Sequence, residues 1–348
     1  MRALLAIAGL TVAAVVRAAD PAGYVLETAD ADRVRGTLTV TVRCPRMEAT
    51  EWVTFAATAP ELPGQSDVST SVTPAGGAVT EKSPLARPVI RVRVPARTKE
   101  QKTKLKLTVT YQATLHSRRL KPGEPAKEVL PLSAADRKHF LADMGDIDHK
   151  SDDLKAWLRE NGLNRADGES DVDFARRVFQ AIRTGSKYEY RPNDPRRASA
   201  VCVSGRSDCG GLSNLFVAAL RANGVPARAL LGRWAVSSKP GEKLGEVAFG
   251  QWHVKSEFYA AGVGWVPADV ASAVVHDRSA EGVRYFGADP GDFLTFHVDP
   301  NLTLDTRVSG VQTANNLQIP VWWVVGSGTV DGNETVEDWK VDVLVPKK

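Results

Sequence analysis

Cys209, His253 and Asp269 are the residues whose types and order could carry chemistry together: a thiol, then an imidazole, then a carboxylate. A thiolate attacks electron-poor carbon, an imidazole can take the thiol proton and return it to a leaving amine, and a carboxylate can fix the tautomer of that imidazole. Taken singly, each has an ordinary explanation: a buried small hydrophobe or half of a disulfide for Cys209, a structural histidine for His253, a turn or cap residue for Asp269. Their local settings set them apart.

Cys209 follows Ser207-Asp208 and precedes Leu212, Leu215, Phe216, Ala219 and Leu220, a spacing that predicts an amphipathic helix ending at Asn223-Gly224. The thiol therefore falls in a first helical turn, where the helix dipole and unpaired N–H groups favour thiolate and depress the thiol pKa. Gly210 and Gly211 remove side chains beside the sulfur, so that a carbonyl could approach and backbone N–H groups could receive its developing negative charge. Gln251–Tyr259 alternates as an extended segment with His253, Lys255 and Glu257 on one face. A turn over Ala260–Gly264 leads to Trp265-Val266-Pro267-Ala268-Asp269, a hairpin that would bring Asp269 alongside His253. Of the other histidines, His116 lies in a strand-rich region and His139 and His149 in a helical one. Cys202 and Cys209 lack a C-x-x-C spacing and a neighbouring His, so no metal is expected, and nothing calls for a cofactor.

Three segments together resemble the transglutaminase-like superfamily in its bacterial core-domain form. They are Ser207-Asp208-Cys209-Gly210-Gly211-Leu212-Ser213-Asn214-Leu215-Phe216 with its continuation through Leu220-Arg221-Ala222-Asn223-Gly224-Val225-Pro226-Ala227-Arg228, then Trp252-His253 through Glu257-Phe258-Tyr259, then Gly264-Trp265-Val266-Pro267-Ala268-Asp269. The resemblance covers residues 170–300 and implies a papain-like arrangement: the cysteine starts a helix packed on an antiparallel sheet that supplies histidine and aspartate. It implies that Cys209 attacks an amide or ester carbonyl, His253 moves the proton, Asp269 orients His253, and water or an amine resolves the acyl-enzyme. The family often has Ala-Trp after its histidine and Pro-Thr after its aspartate, where this chain has Val254-Lys255 and Val270-Ala271. Beside Gly210, the second oxyanion or substrate contact is open among Tyr188, Gln251 and Trp252, each as readily a packing residue.

The elements that must position these groups divide the chain. Leu105, Leu107, Val109, Tyr111, Ala113 and Leu115 alternate with polar residues as a half-buried strand, and shorter strands are expected at Thr37–Val42, Trp52–Ala56 and Val89–Val94, separated by turn-rich stretches such as Pro60 to Gly77. This is the pattern of an antiparallel sandwich. After the linker that opens at Lys121-Pro122-Gly123 the pattern turns helical, with helices expected after Ser133, over Ser151–Asn161 and over Asp171–Thr184, and a loop over Arg191–Ser207. The expected fold is α+β: a papain-like transglutaminase core preceded by an all-β sandwich-like domain, divided as 1–18 leader, 19–130 sandwich and 131–348 core, with the tail through Trp322-Trp323 and Trp339 closing the core.

Residues 1–18 read as a secretory signal, with Arg2, an apolar run from Ala3 to Val16 and small residues before Ala19, too short to span a membrane. The expected location is secreted or periplasmic, with no stable membrane span after cleavage. Lys and Arg number 45 against 41 Asp and Glu and are interleaved with them, which gives no basic surface block for nucleic acid. The three cysteines are too few for a disulfide framework, leaving Cys44 and Cys202 either inert or paired. These features point to a cysteine acyl-transfer enzyme acting on peptides or proteins, with hydrolysis favoured over transfer to an amine. The alternative from another class is a catalytically silent binding or scaffold protein on the same fold.

Overall fold

A computed structural model describes residues 23–124, 129–244 and 246–345, so the leader over 1–18 lies outside the described residues. The first part of the chain builds two antiparallel sheets. In one, Lys104–Pro122 pairs with both Tyr24–Arg43 and Gln65–Thr73, and Glu334–Val345 joins the far side of Tyr24–Arg43. In the other the order is Val321–Gly328, Met47–Ala57, Pro88–Pro95, Gly77–Thr80. The alternating apolar set from Leu105 to Leu115 is fully buried between them with Trp52, Phe55 and Trp339. Period-2 alternation puts that set on the inner face.

The structure corrects two expectations. Gln65–Thr73, expected as part of a loop, is a strand whose Ser, Thr and Val side chains suit a half-exposed edge. The tail does not close the core: Val321–Gly328 and Glu334–Val345 return to the sandwich, one strand to each sheet. Such non-local pairing leaves no trace in local periodicity. Gly36 shows how closely the tail docks, because a Cβ there would lie 2.0 Å from the Trp339 ring. Trp322 and Trp323 meet Trp52 and Phe55 edge-on at 5.7 and 5.8 Å, as packing residues do.

Among the described residues, the second part has six helices: α1 Ala134–His139, α2 Asp152–Glu160, α3 Asp171–Gly185, α4 Ala198–Ser204, α5 Cys209–Ala222 and α6 Val270–His276. They gather on a four-stranded antiparallel sheet ordered Gly264–Ala268, Trp252–Ala260, Ala227–Trp234, Phe293–Val298. Helix α5 is buried along nearly its whole length, with Phe216 meeting Phe179 and Phe258 edge-on. α4 occupies part of the expected loop; its Arg197 N-cap makes no side-chain cap bond, so the usual start signal is absent.

The two parts share buried charges. Arg118, on a sandwich strand, bonds Glu257 and lies 3.1 Å from Asp289, while Arg228 reaches Glu257 at 2.7 Å. Removing Arg118 would leave Glu257 with Arg228 alone and Asp289 with Lys255 alone, each a buried carboxylate short of one cation, which is destabilising. The tail also braces two strands of this sheet: Gln318 Nε2 donates to the carbonyls of Gly232 and His253 at 2.7 and 2.8 Å, and Trp339 Nε1 donates to that of Trp234 at 3.0 Å.

Candidate active site

Helix α5 starts where Asp208, in extended conformation, turns the chain and caps it: Asp208 Oδ1 accepts from the N–H groups of Gly210 and Gly211 at 3.0 and 3.2 Å. Cys209 is thereby the first residue of the helix, as its spacing predicts. The two glycines differ in purpose. A Cβ at Gly211 would lie 2.0 Å from Ser207 Oγ, so that glycine is needed for packing, whereas at Gly210 the nearest atom would be 3.3 Å away.

The hairpin also forms as the alternation predicts, with Ser256 opposite Ala268. It brings His253 Nε2 to 2.8 Å from Asp269 Oδ2. Asp269 is at once the N-cap of α6, its Oδ1 accepting from Ser272 N–H at 2.9 Å, while Ser272 Oγ donates to Oδ2 at 2.8 Å. Asp269 thus both caps α6 and bonds the His253 imidazole. α5 lies against the histidine strand: Ser213 Oγ donates to the Val254 carbonyl at 3.1 Å, and the Val254 N–H points at the Cys209 sulfur. Cys209 retains partial exposure, while His253 and Asp269 are buried.

Electrostatics at the sulfur run against the depressed thiol expected at a helix start. Burial, and then the negative charge of Asp208, push the Cys209 thiol up to about 12, outweighing the Val254 N–H and the Tyr188 hydroxyl. Burial is the largest cause and the cap adds to it: the Asp208 carboxylate takes two of the N–H groups that would have favoured a thiolate and adds a negative charge beside it. Burial also works to raise the Asp269 carboxyl, but His253, Lys255 and the Ser272 N–H together hold it below the usual carboxylate range. Asp269 is thus ionised and able to accept from an imidazole N–H.

Of the other contacts expected, Tyr188 comes to the sulfur and two do not. Lys187–Tyr188 pairs parallel with Arg206–Ser207, setting the Tyr188 ring beside the start of α5. Gln251 Nε2 is bound to Glu242 at 2.8 Å, and Trp252 Nε1 points to Glu337 at 3.3 Å, so neither amide nor indole serves the sulfur. Sequence reasoning missed Trp234, whose ring stacks on His253 with centroids 4.5 Å apart, and Phe293, edge-on to both. Register alone could have found Trp234, since strand pairing sets it diagonal to His253. Lys255, in place of the family's tryptophan, buries its ammonium 4.6 Å from the Trp234 ring centre and pairs with Asp289 and Asp292 at 3.3 and 3.2 Å. All three cysteines are free, Cys44 in the sandwich core and Cys202 in α4, which rules out the Cys44–Cys202 bridge left open above. Among the described residues, no cluster of His, Cys, Asp and Glu is arranged to hold a metal ion.

Residues 160–270, which include Cys209, His253 and Asp269, match the family model of the transglutaminase-like superfamily. The chain carries a transglutaminase-like domain. An uncharacterized protein from Haemophilus influenzae is 38% identical over 89 residues, 22% of this chain and 24% of that protein, so the match spans about a quarter of the relative's length. Among solved structures, a candidate cysteine protease from Cytophaga hutchinsonii superposes with a TM-score of 0.57 at 14% identity, covering 93% of this chain and 94% of that one. That likeness is one of fold, and it takes in the sandwich as well as the transglutaminase-like domain. The periplasmic domain of TgpA from Pseudomonas aeruginosa aligns over 72% of this chain and 92% of its own at 12% identity, with a TM-score of 0.35.

Proposed function

We propose that this protein is an exported cysteine acyl-transfer enzyme that attacks amide bonds of peptides or proteins through Cys209, His253 and Asp269. The observation that carries the reading is the 2.8 Å bond from His253 Nε2 to Asp269, made on the strand against which the Cys209 sulfur rests. With Nε2 committed to the carboxylate, Nδ1 is the nitrogen left to take the thiol proton. The sulfur then bonds to the carbonyl carbon while the π electrons move to oxygen. On collapse the C–N bond breaks, the imidazolium gives its proton to the departing amine, and a thioester remains on Cys209. Water or a second amine attacks that thioester. Hydrolysis is the default outcome in water.

The raised thiol pKa makes His253 indispensable, because a thiol near 12 is almost wholly protonated at neutral pH unless a base withdraws its proton in step with attack. The same feature favours a second reading, a silent scaffold in which the thiol never ionises. Intact-mass analysis after incubation with peptide amides, with and without a small primary amine, separates the two. An acyl adduct mapping to Cys209 and absent in Cys209→Ala is expected; no adduct on Cys209 under any condition would leave the scaffold. Export rests on the pattern of residues 1–18, and a secreted or periplasmic protein beginning near Ala19 is the expected product.

A further inference from the structure

We propose that the cavity beside Trp252 binds one large apolar side chain, leucine- or phenylalanine-like, of the peptide whose amide is attacked. This deepens the acyl-transfer reading above and rests on it for the nature of the substrate.

The cavity has a volume of about 600 Å³, and its walls come from segments far apart in the chain: Trp252 from the histidine strand, Val247 from the hairpin before it, Ile319 and Trp322, and Val336 and Glu337 from the closing strand. That volume suits a side chain or small ligand. Its one carboxylate is already spoken for. Fully buried Arg233 holds Glu337 Oε2 at 2.6 Å, and the Trp252 indole N–H points to the same oxygen at 3.3 Å. With that charge neutralised within the wall, a Lys or Arg side chain would enter without a free partner, which disfavours it. Trp252 and Trp322 are half-buried and Val336 is 49% exposed, so the walls offer apolar surface whose removal from water is favourable.

The cavity lies alongside the place of attack. Gly264–Ala268 pairs with the histidine strand only from Ser256 onward, and the start of α5 lies over the edge it leaves uncovered. There the Val254 N–H points at the Cys209 sulfur and the Val254 carbonyl accepts from Ser213 Oγ. Backbone directions repeat every second residue along a strand, so the backbone of Trp252 faces the same way, about 7 Å further along. A peptide lying on this edge with its carbonyl at the sulfur therefore carries a neighbouring side chain past Trp252 and into the cavity. The far wall is tied to the same strand, because Gln318, which bonds the Gly232 and His253 carbonyls, immediately precedes Ile319.

Internally quenched Gly-Ser peptides carrying one Phe at successive positions test this, with the cut amide mapped by mass. The parent protein should cleave at a fixed offset from Phe, with kcat/KM about 10–10²-fold above that for the plain Gly-Ser peptide, the gain that burying one such side chain supplies. Val336→Trp, which fills the cavity from its exposed rim, should abolish the preference and leave cleavage of the plain peptide unchanged. Val336→Asp should transfer the preference to Lys-bearing peptides, a change of selectivity that a merely structural role would not produce. Equal rates on Phe and plain peptides in the parent would overturn the proposal, as would equal losses on both in Val336→Trp with no gain on Lys peptides in Val336→Asp. Fluorescence polarisation of labelled versions of these peptides on Cys209→Ala keeps the two readings apart. Phe-selective binding that the added Val336→Trp abolishes, with no cleavage by the parent, would sustain the cavity and remove acyl transfer. Cleavage without Phe selectivity would do the reverse, and neither binding nor cleavage would overturn both.

Discussion

The starts of α5 and α6 are built by the same local rule and put to different use. Each begins with an aspartate whose carboxylate caps the helix, Asp208 for α5 and Asp269 for α6. Both lie near the Cys209 sulfur, and both push its pKa up. They differ in the second partner. Asp208 Oδ2 meets Arg196 Nε at 2.9 Å, a cation that never gives up its proton, so that carboxylate is locked into structure. Asp269 Oδ2 meets the imidazole of His253, a side chain whose two nitrogens can accept and donate a proton. On the proposed reading, a cap serves a proton relay when its spare oxygen faces a side chain able to carry a proton.

Replacing each member of the comparison should separate the roles. The largest effect is expected from Asp269→Asn. Asparagine caps a helix as well as aspartate does, so the melting temperature should hold, yet kcat should fall by about 10⁴-fold because the imidazole loses the carboxylate that sets its tautomer. An unchanged kcat would mean that Asp269 is only a cap.

A buried histidine without a carboxylate sharpens the contrast next. His297 Nδ1 bonds the Asp299 carbonyl at 3.1 Å and its Nε2 accepts from Leu317 N–H at 3.0 Å, and burial brings its pKa down to about 3. A depressed pKa means that the unfolded chain takes up a proton where the folded one does not. Stability should therefore be complete above the unfolded value of about 6.5 and fall by up to about 1.4 kcal/mol per pH unit as pH drops toward 3. Denaturant melts of His297→Gln should show less of this acid limb. An identical limb would remove His297 as its source.

Asp208→Asn keeps the cap and removes the charge beside the sulfur. The thiol pKa should fall from about 12, and alkylation near pH 8 should speed by about tenfold, because the thiolate fraction at a fixed pH grows as the pKa drops. No change would mean that burial alone holds the thiol up. The smallest effect belongs to Ser272→Ala, which takes one of the bonds to Asp269 Oδ2 and should lower kcat only a few-fold while the backbone cap persists.

What the sequence makes legible follows the same division. Apolar spacing places Cys209 in the first turn of α5, and alternation with a glycine turn places His253 beside Asp269, because both are local patterns. The side-chain partners that tune the site are not local. Asp208 can be read as preceding a helix, but that its carboxylate would occupy the N–H groups and raise the thiol pKa depends on the cap geometry. Trp234 reaches His253 only through strand register, and Tyr188 reaches Cys209 through a two-residue pairing too short to announce itself. The return of Val321–Gly328 and Glu334–Val345 to the sandwich joins the two ends of the chain, which no window of periodicity can report.

The central claim is that a protonated, partly exposed thiol is made nucleophilic by His253. Alkylation of Cys209 followed from pH 5 to 11 in the parent protein and in His253→Ala tests it most directly. A histidine-dependent reactive phase near neutral pH in the parent, lost in the variant and replaced by reactivity rising only at high pH, is the predicted result. Superimposable profiles would show that the imidazole does not act on that sulfur, and the account would not stand.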